Sequence, residues 1–318
     1  MRCVIIRPLC EKNYQFVEKV YIPIPIASLP KLAAPCHMNH FRVMNPSMIT
    51  PFDPYQVFRA SKTPAGLYSR QKWLGENDDP RWGKDFDATV KRLLAGQSAD
   101  GSWNQSIITT IHRLFGLHLT VRNPNESINK GLDWLMAVAF KELPRLRKDC
   151  SEPITSQNLE NLPFTPGCSG YFLSGATLFL ASIFGRENDS HVLEAYDWLN
   201  EEGIQKNGRW CGWLCSNNIF RAFVVHPRYS KSRAIELALR ALARVQNTSG
   251  RWPAGVPFYQ TVNALGHLAS EDAGDQLKKA FKYLSRTQNR DGTWGRSQKE
   301  WKTFLVVHAM RRKGYAGL

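Results

Sequence analysis

The sequence has no uninterrupted apolar run near the roughly 18 residues that a membrane span needs. Its most apolar early stretch, Tyr21 to Leu32, is broken by Pro23, Pro25 and Pro30. A spanning helix and a secretory leader are both unexpected. The seven cysteines are an odd number without a Cys-x-x-Cys pair, and only Cys211 and Cys215 lie close together in sequence. That argues against a disulfide framework, and a cytoplasmic, reducing setting is expected. Acidic residues are scarce, with 27 Asp+Glu against 42 Lys+Arg, a net charge of +15. The signatures of zinc, helix-turn-helix and RNA-binding modules are missing too, so nucleic acid is not an expected partner despite the charge.

The excess of base is uneven. Between Lys278 and Lys313 stand eleven basic residues against Asp291 and Glu300, a local balance of +9. Such an end attracts a diphosphate or, at the periphery, an acidic membrane surface, or else is simply a solvated helix face.

With 318 residues, 43% of them hydrophobic, the chain is long enough for a substantial core. Residues 1–50 read as an irregular arm or an over-extended start, interrupted by proline and holding Met38, Met44 and Met48 as later starts. Residues 51–318 read as one domain. From Pro54 onward, apolar residues recur at three- and four-residue spacing, between turns rich in Gly, Asn and Asp.

An internal repeat organises this domain. Gln97 to Trp103, Gln246 to Trp252 and Gln288 to Trp294 align without gaps as Gln-x5-Trp, each with glycine two residues before the tryptophan. Gln205 to Trp210 is one residue shorter and keeps Gly208. Trp210, Trp252 and Trp294 are evenly spaced, and the long gap from Trp103 to Trp210 accommodates a repeat with a degenerate turn plus an insertion over about Lys141 to Pro166. Each unit carries a helix before its turn (86–94, 128–140, 192–199, 234–245, 277–284) and another after it (106–119, 171–184, 216–225, 258–268, 299–310). With a first helix over 55–74, the expected fold is all-α, an α/α toroid of about six helical hairpins, one incomplete.

The repeated element resembles the QW motif of squalene-hopene and oxidosqualene cyclases, and through it the terpenoid cyclase and protein prenyltransferase superfamily. Its structural residues are Gln97, Trp103, Trp210, Gln246, Trp252, Gln288 and Trp294. The glycine makes the tight turn, glutamine satisfies helix-end groups, and tryptophan buries area between hairpins. The resemblance implies a central cavity lined by the second helix of each hairpin.

The superfamily's chemical groups are largely missing. No second-helix start carries the Asp-x-Asp-Asp acid of the cyclases. The nearest string, Glu76-Asn77-Asp78-Asp79, precedes Pro80 and reads as a turn, and Asp85 and Asp87 read as caps of the following helix. Of the prenyltransferase zinc ligands only Cys215 has a counterpart, because Trp213 and Gln260 stand at the aspartate and histidine positions. No metal and no cofactor are therefore expected. Gly167-Cys168 resembles a thioester-domain start but lacks the glutamine that would supply the acyl group.

What remains is a polar and aromatic lining. Tyr259, Asn263 and His267 share one helix face, and Trp301, Phe304 and His308 another, with His112 on the first full second helix. His112, His267 and His308 are the expected proton-transfer residues; Tyr259, Asn263, Trp301 and Phe304 are the expected substrate contacts. The expected ligand is a hydrophobic isoprenoid, with or without a diphosphate, bound or converted in the cavity. The alternative is a non-catalytic toroid that binds a protein or a lipid.

Overall fold

The computed structural model describes residues 50–146 and 154–315, so nearly all of the expected arm lies outside the described residues. Local signals begin and end the helices. Pro64 and Pro80 open α1 (Pro64–Lys72) and α2 (Pro80–Leu94), capped by Thr63 and Asp79. Ser106 caps α3 (Ile107–Thr120), and α4 spans Glu126–Leu146. The chain continues with α5 (Ser169–Ile183), α6 (Ser190–Gln205), α7 (Trp213–Phe223), α8 (Arg233–Val245), α9 (Phe258–Leu265), α10 (Glu271–Thr287) and α11 (Lys299–Arg312). The all-α expectation holds, and helices form in every expected segment. Two details differ. The first helix is split by the Thr63–Pro64 start into a short 3-10 turn, Gln56–Phe58, and α1. The cap of α2 is Asp79, because Pro80 starts that helix earlier than expected; Asp85 instead pairs with Lys62 and Arg70.

The odd-numbered helices touch in a closed cycle: α1 meets α3, α3 meets α5, and so on through α7 and α9 to α11, which returns to α1. The even-numbered helices pack against their odd-numbered neighbours and partly against one another. This is the contact order that a ring of hairpins requires. Composition follows placement, since α5 is buried without a break from Gly170 to Ala181 while α8 buries only one stripe.

The repeated turns supply the links. Gln97 Nε2 donates to Gly101 O of its own turn (2.9 Å) and to Ser127 O on α4 (2.7 Å). Gln246 does the same with Gly250 O (3.1 Å) and Gln276 O on α10 (2.9 Å). In the last copy, Gln288 reaches Gly292 O and the first described segment, exchanging two hydrogen bonds with the backbone of Phe52 at 3.0 Å each. The glycines permit the approach. A Cβ on Gly250 (φ 95°) would lie 2.1 Å from Lys279 O, and one on Gly292 (φ 80°) 1.9 Å from Asp53 O. Each of these three turns thus clamps another segment, and the last clamps the first described one.

The expected insertion, about Lys141 to Pro166, begins within the end of α4, and residues 147–153 lie outside the described residues. Its later part folds inward, where Leu162 and Phe164 are buried, Phe164 meets Phe179 edge-on at 5.6 Å, and Leu162 O accepts from Trp301 Nε1 at 3.1 Å.

Candidate functional site

Each of the six odd-numbered helices sends at least one aromatic or polar side chain into a common buried cluster. α1 contributes Tyr68, α3 Phe115 and His118, α5 Phe179, α7 Arg221, α9 Asn263, and α11 Trp301, Phe304 and His308. The aromatic rings form a continuous path. Phe115 meets Trp301 edge-on at 5.8 Å, Trp301 stacks on Phe304 at 5.3 Å, and Phe304 stacks on His308 at 5.8 Å. His267, just past α9, lies 5.4 Å from His308.

Arg221 carries the charge of this cluster. Its side chain is buried, at 4% exposure, with the guanidinium 5.2 Å from the centroid of the Phe179 ring. Nη1 donates to Asn263 Oδ1, Nε has no protein partner, and among the described residues no carboxylate pairs with it. Arg70, equally buried, shows the ordinary arrangement, meeting Glu76 at 2.7 Å and Asp85 at 3.0 Å. Desolvation, with Arg312 adding to it, lowers Arg221 to about 9. Two further polar nitrogens of the cluster, His118 Nδ1 and His267 Nε2, are buried without a protein partner among the described residues. The interior thus holds an uncompensated cation beside neutral nitrogen groups and aromatic walls. That set suits an anion attached to an apolar body.

The imidazoles are neutral at pH 7. Burial first, then Arg122 and Arg221, push His118 down to about 4. Burial, then Arg221 and Arg312, push His308 down to about 3, and His267 lies well below its ordinary value for the same reasons. Asn263 Nδ2 donates to Leu305 O (2.9 Å) and to His308 Nδ1 (3.2 Å), which holds that ring in its Nε2–H tautomer. A neutral ring accepts a proton or donates a hydrogen bond; it does not protonate an alkene as an imidazolium would.

The same shifts set a pH dependence. Below about pH 6.5 the unfolded chain takes protons on these histidines that the folded chain refuses, so stability is full above that value and falls as pH drops toward 4. Each such histidine contributes a slope of roughly 1.4 kcal/mol per pH unit within the window. Urea midpoints measured from about pH 7.5 to 4.5 should fall on the acid side, and less steeply in His118→Gln. A flat profile would contradict the buried neutral state.

The expected site residues therefore divide. Asn263, His267, Phe304, His308 and Trp301 come together, and the two helix stripes meet directly where Asn263 and His267 face His308. The cause is Asn263, which bridges α7 to α11. Tyr259 lies apart, against Phe258 at 5.4 Å and beneath the Lys302 ammonium at 5.6 Å. His112 also lies apart, its Nε2 2.8 Å from Asn158 O, lining a 450 Å³ pocket with Thr63, Arg113, Glu160 and Leu162. Phe115 and Trp301 are walls of both this pocket and the central cluster. Sequence reasoning missed Arg221, His118, Tyr68 and Phe179. A readable signal existed for the first: Arg221 is the one charged residue in α7. Much of the basic run 278–313 is already engaged, since Lys278 pairs with Asp275, Lys299 pairs with Asp291, and Lys302 and Lys313 are half-buried.

No known family profile matches the chain, and no curated protein does. Among solved structures, a protein from Actinoplanes is similar in fold, with 18% identity and a TM-score of 0.50, over 83% of this chain and 91% of that one. Type II terpene cyclase MstE from Scytonema, in complex with its substrate geranylgeranyl dihydroxybenzoate, is similar with 12% identity and a TM-score of 0.51, over 82% of this chain and 87% of that one. The fold is terpenoid-cyclase-like.

Proposed function

We propose that this protein binds an isoprenoid with an anionic head in the interior of its helix cycle. The head sits against Arg221 and the hydrocarbon lies along Phe115, Phe179, Trp301 and Phe304. The observation that carries this reading is the buried guanidinium without a carboxylate, a group that costs stability until an anion meets it. Further support comes from the QW-like turns and from the fold neighbour MstE, whose own substrate joins a geranylgeranyl chain to a benzoate. The 450 Å³ pocket beside His112 is the entrance, since it shares two aromatic walls with the cluster and has a size suited to a prenyl chain.

Binding without chemistry is the second reading, a toroid acting as a lipid-binding module. The neutral imidazoles favour it, because none of them offers the proton that alkene cyclisation needs.

Thermal unfolding with geranylgeranyl diphosphate and with geranylgeraniol tests the proposal. Both should raise the melting temperature, the diphosphate more, since a ligand selective for the folded state stabilises it by mass action. A diphosphate advantage that persists at about 0.5 M salt assigns the head to buried Arg221, and one that vanishes assigns it to the exposed basic run. No shift with either ligand rejects the isoprenoid reading. Analysis of the extracted lipid after incubation separates conversion from binding alone.

A further inference from the structure

A second site lies where α5 and α7 begin. Cys168 is the N-cap residue of α5; Cys211 precedes Gly212, the N-cap residue of α7, and Cys215 stands in that helix's first turn. The three Sγ atoms all lie within 4.8 Å of one another, with Cys168 and Cys211 4.0 Å apart. Around a tetrahedral zinc with Zn–S bonds near 2.3 Å, sulfurs are about 3.8 Å apart, so a contraction of less than about 1 Å would bring all three into bonding range.

We propose that Cys168, Cys211 and Cys215 bind one thiophilic metal ion of the Zn²⁺ class as a three-thiolate site with an open fourth position.

Several independent features fit. The scaffold is held on both sides, because Thr165 N donates to Asn218 Oδ1 at 2.8 Å and Asn218 Nδ2 returns a bond to Thr165 O at 3.0 Å, linking the approach to α5 with α7. The Cys168 N–H points at Cys215 Sγ, 3.2 Å away, the kind of outer hydrogen bond that steadies a metal thiolate. Two helix N-termini converge on the sulfurs. The sulfurs also line a 450 Å³ surface pocket with Trp213, Leu214 and Gly255. Among the described residues that lining offers no fourth side-chain ligand, which leaves the fourth position to solvent or a small donor molecule, as in zinc sites with three protein ligands.

The expectation of no metal rested on the prenyltransferase pattern, of which only Cys215 has a counterpart. Cys168 and Cys211 come from positions which that pattern does not use, 43 residues apart in the chain.

The test uses the full chain, purified under reductant and without chelator. Cobalt(II) titration should give a sulfur-to-cobalt charge-transfer band that saturates at one equivalent, and zinc should displace it. Cys211→Ser suits the comparison because Cys211 is exposed and its loss should leave the metal-free melting temperature unchanged. Zinc affinity, measured against a chromogenic chelator, should fall at least about 100-fold in that variant and in Cys168→Ser. Absence of the band in reduced protein overturns the site, and so does an identical titration of Cys211→Ser. Protein that forms a Cys168–Cys211 disulfide without reductant, and binds no cobalt once reduced, overturns it in favour of a redox pair.

Discussion

Replacing Arg221 with methionine is expected to make the unliganded protein more stable by about 2 to 4 kcal/mol while removing the preference for an anionic ligand. The guanidinium is lowered from 12.5 to about 9 by burial, and at about 1.4 kcal/mol per unit that corresponds to about 5 kcal/mol of cost in holding the charge inside. Against this stands the bond to Asn263 Oδ1, whose loss leaves one buried acceptor without its donor, at about 1–3 kcal/mol. The desolvation cost is the larger. Methionine nearly matches the side chain's length and fills the space over Phe179 without polar atoms. A residue that costs the unliganded fold stability points to a use in binding. Urea unfolding of the two proteins, with and without geranylgeranyl diphosphate, reads both effects. A destabilised Arg221→Met protein that keeps the full diphosphate advantage would make Arg221 a structural residue and leave the proposed head-group site without its anchor.

Trp294→Ala should lower stability by roughly 3 to 5 kcal/mol, the range for emptying a well-buried indole site. Trp294 is fully buried, its Nε1 donates to Leu284 O at 2.9 Å, and its backbone N–H is held by Thr303 Oγ1 at 3.1 Å. The same turn bears the Gln288 contacts with Phe52, so the loss falls where the cycle of contacts closes. Trp252, with Nε1 on Leu242 O at 3.1 Å, should behave alike. Trp103 provides an internal control, because it is as buried as Trp294 while its Nε1 has no partner among the described residues. Trp103→Phe should therefore cost less than Trp294→Phe by about 1 kcal/mol, the net value of the missing hydrogen bond. Chemical denaturation midpoints of the four variants give the comparison, and unchanged midpoints for Trp294→Ala would mean that these turns do not hold the ring together.

The candidate site was only partly legible. Tyr259, Asn263 and His267 were visible as a stripe because four-residue spacing is local, and so were Trp301, Phe304 and His308. Which stripe residues meet was not visible. Asn263 reaches Leu305 and His308, more than forty residues away, whereas Tyr259, one turn earlier on the same face, ends beside Lys302. That no second-helix start carries the Asp-x-Asp-Asp string was readable, since it is a statement about the sequence alone. Arg221 stood in plain sight as a lone cation on an otherwise uncharged helix, yet its lack of a carboxylate is a statement about six helices at once.

By itself the sequence determined the all-α class, the helix positions and the repeated clamps. Those depend on contacts that recur at a fixed interval, so Gln97 and Gln246 each meet a carbonyl 30 residues ahead, and one copy predicts the next. Tertiary structure decided the closure of Gln288 onto Phe52, the unpaired charge of Arg221 and the meeting of Cys168 with Cys211 and Cys215. None of these recurs. Each depends on the rotation and axial offset of one helix against another, which the summed packing of the whole core sets and no local spacing records.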